Sequence, residues 1–271
     1  MLFVCVCYTC TSTADKHSVS VHKLSVNTFT FIMTASLSVF IAMTLPFGTH
    51  TLKLCHQTAI GVLLLAACKI LETTMSVYIL RELSAFEVKA WLGITLFASY
   101  FTDVFFGAEY DFLKLAAISV TVVGLVLIAS SGREDKINYK KIVIPLMLYL
   151  LSKYGYAVVM RAFSDYASSS VLLLSALMVV ALIYFPFVDF SEFKTKTRGC
   201  LQTSLMRIPN TAGILAENAV IAISMTNYSF IQPLILVSLF FIRIIKKERF
   251  AKKNLLGSIL CIAGLAAFQL L

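Results

Sequence analysis

The chain alternates long apolar runs with short polar bends from end to end. A bilayer core of about 30 Å takes roughly 20 apolar residues to cross as a helix. Ten runs approach that length: Met1 to about Ala14, Val26–Pro46, Ala59–Leu80, Ala85–Phe106, Phe112–Ser130, Ile142–Ala162, Ser169–Phe187, Pro209–Thr226, Ser229–Ile245 and Asn254–Leu271. The first is short and reads as a helix whose beginning is missing. None shows the alternation expected of a barrel strand. The pattern predicts an all-α membrane protein of ten transmembrane helices, the first short or truncated.

The pattern also repeats. The run to Ile245, the charged hinge Lys246 to Lys253 and the run from Leu255 carry Glu248, Gly257 and Gly264. The run Leu92–Phe106, the hinge Gly107 to Asp111 and the run from Leu113 carry Glu109, Ala117 and Gly124 at matching places. Small residues seven apart share a helix face and admit close approach of another backbone, so Gly124, Gly257 and Gly264 are expected packing positions. Lys16 closes the first run as Arg161 closes the sixth, and Glu72 lies in the third as Glu217 lies in the eighth. Such self-similarity is the mark of duplication. Residues 1–131 and 142–271 are the expected five-helix repeats, joined by a polar linker at 132–141. Five crossings per half invert one repeat relative to the other, an arrangement that builds a site near the bilayer midplane.

Composition agrees. Hydrophobic residues make up 59% and charged residues 14%, against about 45–50% and 25% in soluble domains. The net charge of +9 sits in bends rather than on one face, which argues against nucleic acid and for topology. The bends after the odd-numbered runs hold Lys16, Lys23, Arg81, Lys89, Arg133, Lys136, Lys140, Lys141, Lys194, Lys196, Arg198, Arg207, Arg243, Lys246, Lys247, Arg249, Lys252 and Lys253. The even-numbered bends and their edges hold Lys53, Lys114 and Arg161. That asymmetry places the odd bends in the cytoplasm and both termini outside. Cys5, Cys7 and Cys10 superficially suggest a metal motif, but no His or acid stands beside them, and small apolar fillers account for them. No basic region precedes Leu2, so a signal peptide is not indicated.

Gln232-Pro233 opening the ninth run, Glu248 in the hinge, Gly257 and Gly264, with Glu109, Gly124 and Lys16 in the first half, give the chain its family likeness. It resembles the drug/metabolite transporter superfamily in its EamA-type ten-helix branch, over nearly its whole length. The resemblance implies a carrier of two five-helix repeats around a central cavity. Many members are drawn with both termini in the cytoplasm, against the charge count here. The family's tryptophan-glycine pair in helix one is absent from this chain.

Ionisable groups within membrane helices cost about 2.5–3.5 kcal/mol at the centre and usually face a cavity or a partner. Lys69, Glu72, Asp103, Lys153, Arg161 and Glu217 are such groups. Glu72 and Glu217 are deepest and could bind a proton or a cationic solute. The structural alternative pairs Glu72 with Lys69, three residues earlier on the same face. Asn218 adds a donor and an acceptor beside Glu217. Lys153 stands among Tyr149, Tyr154 and Tyr156, a setting for an anionic or zwitterionic ligand or for neutralising Glu217. Asp103 and Arg161 lie near helix ends and are expected to reach the bends. Tyr8, Thr9, Thr11, Ser12, Thr73, Thr74, Ser76 and Tyr78 could line a cavity or pack helices. The expected substrate and coupling-ion cavity therefore comprises Tyr8, Lys69, Glu72, Tyr78, Lys153, Tyr156, Glu217 and Asn218.

No phosphate-binding loop, HExxH or GxSxG occurs. The expected function is secondary transport of a small metabolite or drug-like solute in the plasma or inner cell membrane, with proton coupling left open. It needs no enzyme activity, cofactor or metal. The expected partners are the bilayer and the solute, with no nucleic acid, and a homodimer is left open. An uncoupled facilitator, a lipid-linked-intermediate flippase and a membrane scaffold without flux are the competing readings.

Overall fold

A computed structural model describes residues 2–47, 50–83, 88, 91–130, 139–245 and 252–271. The apolar runs are helices: α1 Leu2–Ser20, α2 Val26–Thr44, α3 His56–Glu82, α4 Thr95–Phe105, α5 Phe112–Ser130, α6 Tyr139–Ala162 and α7 Ser169–Tyr184. After them come α8 Ser191–Thr195, α9 Thr197–Leu205, α10 Arg207–Ile223, α11 Met225–Ile245 and α12 Lys252–Leu270. Short 3-10 turns at Leu45–Phe47 and Phe185–Phe187 end α2 and α7. Each carries a proline, which lacks the N–H a continuing helix would use. Among the described residues the extended pairing is one isolated antiparallel bridge between Leu52 and Ala167.

Among the described residues four helical stretches are long and apolar enough to cross a membrane: Val26–Phe47, His56–Glu82, Ile142–Ala162 and Ser169–Phe187. Two shorter apolar helices, Phe112–Ile128 and Leu255–Leu270, accompany them. The chain is thus an all-helical membrane protein. At 1.5 Å per residue, the 27 residues of α3 extend for about 40 Å.

Several helices differ from the hydropathy boundaries for local reasons. The first is longer than expected, with 19 residues. It continues through Asp15 and Lys16 because both find partners: Arg207 binds Asp15, and Lys16 donates to the Leu80 and Leu83 carbonyls. These carbonyls lie at the α3 C-terminus, where a cation also meets the negative end of the helix dipole. α11 begins at Met225 rather than Ser229. Asp103 accepts from the Met225 and Thr226 backbone N–H groups, which satisfies donors that a helix start leaves orphaned. Pro233 therefore sits inside α11 instead of opening it. Between α7 and α10 the polar stretch folds into α8 and α9, too short and too polar to be seen as spans.

α5 and α12 make the most extensive helix pairing. α3 packs on α6, α1 on α10, α2 on α7 and α4 on α11. The Gly124, Gly257 and Gly264 positions set the α5–α12 approach. A Cβ on Gly124 would lie 2.6 Å from the Gly257 carbonyl, and one on Gly264 would lie 2.7 Å from the Ala117 carbonyl. The main apolar core joins α1, α2, α3, α6, α7, α10 and part of α11; a second core joins α4, α5, α11 and α12.

Two ties link bends of opposite halves. On one, the Lys53 N–H donates to the Tyr166 carbonyl and the Ser168 N–H to the Thr51 carbonyl, each at 2.9 Å. On the other, Glu192 of α8 accepts from the Ser25 hydroxyl at 2.9 Å and from its N–H. Lys196 pairs with Glu192 and donates to the Lys23 carbonyl at 2.6 Å. Several expected features lie outside the described residues: the linker core at 131–138, the start of the fourth run, Glu248, and the cations Lys89, Arg133, Lys136, Lys246, Lys247 and Arg249.

Candidate functional site

A cavity of about 100 Å³ opens between α1, α2, α3, α6 and α10. α3 supplies Lys69, Glu72, Thr73 and Ser76; with Leu80 they recur every three or four residues and so share one face. α1 supplies Tyr8, Thr11, Ser12 and Asp15 on the same principle. α6 contributes Tyr149 and Lys153, four apart, and α10 contributes Arg207, Asn210 and Ile214. Apolar side chains of α2 close the remaining wall.

The charges are ordered in two groups, a triad and a pair. Lys69 Nζ stands 2.8 Å from one Glu72 oxygen, and Lys153 Nζ stands 2.7 Å from the other. One carboxylate thus bridges two ammonium groups brought from opposite halves of the chain. Lys69 is 3% exposed and also lies 4.1 Å above the Tyr156 ring, a cation–π contact. The pair joins Arg207 to Asp15. Arg207 is 1% exposed, and its Nε donates to the Thr203 carbonyl at 3.1 Å. Charge pairing with supplementary hydrogen bonds is what makes such burial tolerable.

The expected site residues separate into three places. Tyr8, Lys69, Glu72 and Lys153 line the cavity, as do Thr11, Ser12, Thr73 and Ser76. Tyr156 lies behind Lys69 and donates to Asn218 Oδ1 at 2.7 Å, so both support the wall. Glu217 is buried elsewhere: it does not line the cavity, Tyr228 reaches it, and its Oε1 has no hydrogen-bond partner among the described residues. Lys153 neutralises Glu72, not Glu217, because α6 packs along α3 over a long face. Tyr78 is 48% exposed and faces away. Thr9 bonds back to the Cys5 carbonyl, and Thr74 meets the Tyr184 hydroxyl at 2.7 Å, so both serve packing.

Asp103 and Arg161 do not simply reach the bends. They pair with each other. Asp103 also accepts from the hydroxyls of Ser224 and Thr226 as well as the two backbone groups that start α11. This five-donor knot joins α4, α6 and α11. Arg207, by sequence a bend cation, is instead buried at the start of α10 and paired with Asp15. The available signal was a lone acid beside Lys16 in the polar last turns of α1 at Asp15 and a cation opening an apolar helix at Arg207. Among the described residues no cluster of three or more His, Cys, Asp or Glu could hold a metal ion.

No protein-family model matches the chain, and no curated protein matches it.

Proposed function

We propose that the chain is a secondary transporter that moves a small solute across the cell membrane by alternating access, with the charged cavity as its solute site. The observation that carries this reading is the cavity itself. Buried ionisable side chains from both halves converge on one open-mouthed cavity inside an otherwise apolar helical protein. A membrane scaffold has no use for such a cavity, and charges in lipid-facing helices usually mark a solute or ion path.

The helix pairings favour the two-repeat, ten-crossing architecture. Exchange α1, α2, α3, α4 and α5 for α6, α7, α10, α11 and α12. The pairs α5–α12, α2–α7 and α4–α11 then map onto themselves, and α3–α6 maps onto α10–α1. The Lys53–Tyr166 tie maps onto the Glu192–Ser25 tie, since each joins the corresponding two bends of opposite halves. A solute site between inverted repeats is the arrangement of many secondary transporters, and the likeness to EamA-type transporters points the same way.

The test is uptake into proteoliposomes from a mixed library of amino acids, amines, nucleosides and small acids, read by mass spectrometry. At least one solute should accumulate above protein-free vesicles, and Lys153→Gln should abolish its uptake. No accumulation of any library member by folded, oriented protein would count against transport of that solute range.

A further inference from the structure

We infer that the solute is a small monovalent oxyanion, a compact carboxylate or phosphate, held chiefly by Lys153. This rests on the reading of the cavity as a solute site. The described cavity wall carries Lys69, Lys153 and Arg207 against Glu72 and Asp15. Among the described residues three cations face two carboxylates, an excess of one positive charge. A buried excess charge is costly until a counter-ion meets it, and an anion of unit charge balances it. A cationic solute would add a fourth positive charge and find both carboxylates already paired: Glu72 is bridged at 2.7 and 2.8 Å, and Asp15 is bound by Arg207.

The geometry distinguishes the two lysines. Lys69 is fixed between Glu72 and the Tyr156 ring, and its side chain is 3% exposed. The Lys153 side chain is 13% exposed, and an ammonium has three donors, of which Glu72 takes one. Of the two lysines, Lys153 is therefore the one with donors to spare, and it is more open to the cavity than Arg207, which is 1% exposed and held by Asp15 and the Thr203 carbonyl. Tyr149, Ser12 and Asn210 add neutral hydrogen-bonding groups to the same wall. At about 100 Å³ the cavity is small beside the roughly 300–1,000 Å³ of drug-sized ligand sites, which suits a compact solute. Glu72 competes with such an anion for Lys153, as a carboxylate built into the protein.

That competition gives the test its sign. Equilibrium dialysis of the purified full-length protein with labelled lactate, inorganic phosphate and ethanolamine measures binding directly. Lactate or phosphate should bind saturably and ethanolamine should not; the two anion arms tell a carboxylate solute from a phosphate. Lys153→Gln should weaken anion binding by about tenfold or more, while Lys153→Arg retains it. Glu72→Gln removes the competitor and should tighten anion binding. If Glu72→Gln fails to fold, Lys69→Gln with Glu72→Gln keeps the excess of one charge and should still bind the anion. Folded wild type that binds neither anion, ethanolamine binding that Glu72→Gln abolishes, or an anion bound more weakly by folded Glu72→Gln would each overturn the inference. Saturable anion binding without flux in vesicles would support the anion site and sink the transport reading instead.

Discussion

The residue that most separates site from scaffold is Glu217. Its carboxyl is buried on α10, one oxygen has no hydrogen-bond partner among the described residues, and it does not line the cavity. A group there can alter how the helices move without touching the solute. Glu217→Gln keeps the size and removes the charge, so the protein should fold and, on the proposed transport function, bind solute with unchanged affinity and lose uptake or its pH dependence. Lost binding would place Glu217 in the solute site; unchanged uptake at every pH would remove it from the cycle. Tyr156 makes the contrasting case. Tyr156→Phe strips a buried donor from Asn218, whose Nδ2 is already unpartnered among the described residues. An orphaned buried acceptor costs about 1–3 kcal/mol, to be read as a lowered melting temperature in detergent. What the sequence made legible at this scale was spacing along one helix. Lys69 and Glu72 were recognisable as a pair because they are three apart. Lys153 and Arg207 were not assignable, since their partners come from helices that only the packing brings near.

At the scale of elements, hydropathy located the long helices because lipid-facing and buried positions are apolar alike. It missed α8 and α9, whose short polar segments look like a bend, and it misplaced the start of α11, which depends on an acid in α4. The small residues of α5 and α12 were legible because close backbone approach demands them. Gly124→Val should drive those helices apart: its Cβ would meet the Gly257 carbonyl and the Cys261 N–H at 2.6 and 2.8 Å, and backbone cannot step aside as a flexible side chain can. Overpacking costs typically about 1–3 kcal/mol, visible as a lower melting temperature and greater cysteine labelling at Cys261. The Glu192 tie adds a pH dependence. Burial alone would raise this carboxyl, but Lys196, the Ser25 backbone N–H and the Thr28 and Ser25 side chains together hold it below the usual carboxylate range. A depressed folded value means the tie stabilises above the unfolded value and is lost as pH falls through the folded one. Thermal stability should therefore drop on acidification from about pH 4.5 downward, and Glu192→Gln should flatten that drop. An identical acid profile in the variant would show that the tie contributes nothing.

For the whole molecule, orientation joins the charge pattern to the cavity. The wall includes Asp15, Leu80, Val88 and Arg207, which lie at or beside the ends of α1, α3 and α10 facing the odd-numbered bends. Those bends hold most of the lysines and arginines, the residues that remain on the cytoplasmic side during insertion. At the opposite ends, Asp103, Arg161, Ser224 and Thr226 are knotted together, and the bridge at Leu52 and Ala167 joins two more bends. If the charge rule governs this chain, the cavity lies nearer its cytoplasmic end, and the knot seals the outer one. Both inferences share one measurable premise. A reporter active only in the cytoplasm should give signal when fused after Lys141 or Lys247 and none after Leu271. Signal after Leu271 with silence after Lys247 would turn the molecule over, putting the cavity toward the outside and the Asp103 knot within, while leaving every helix pairing as it stands.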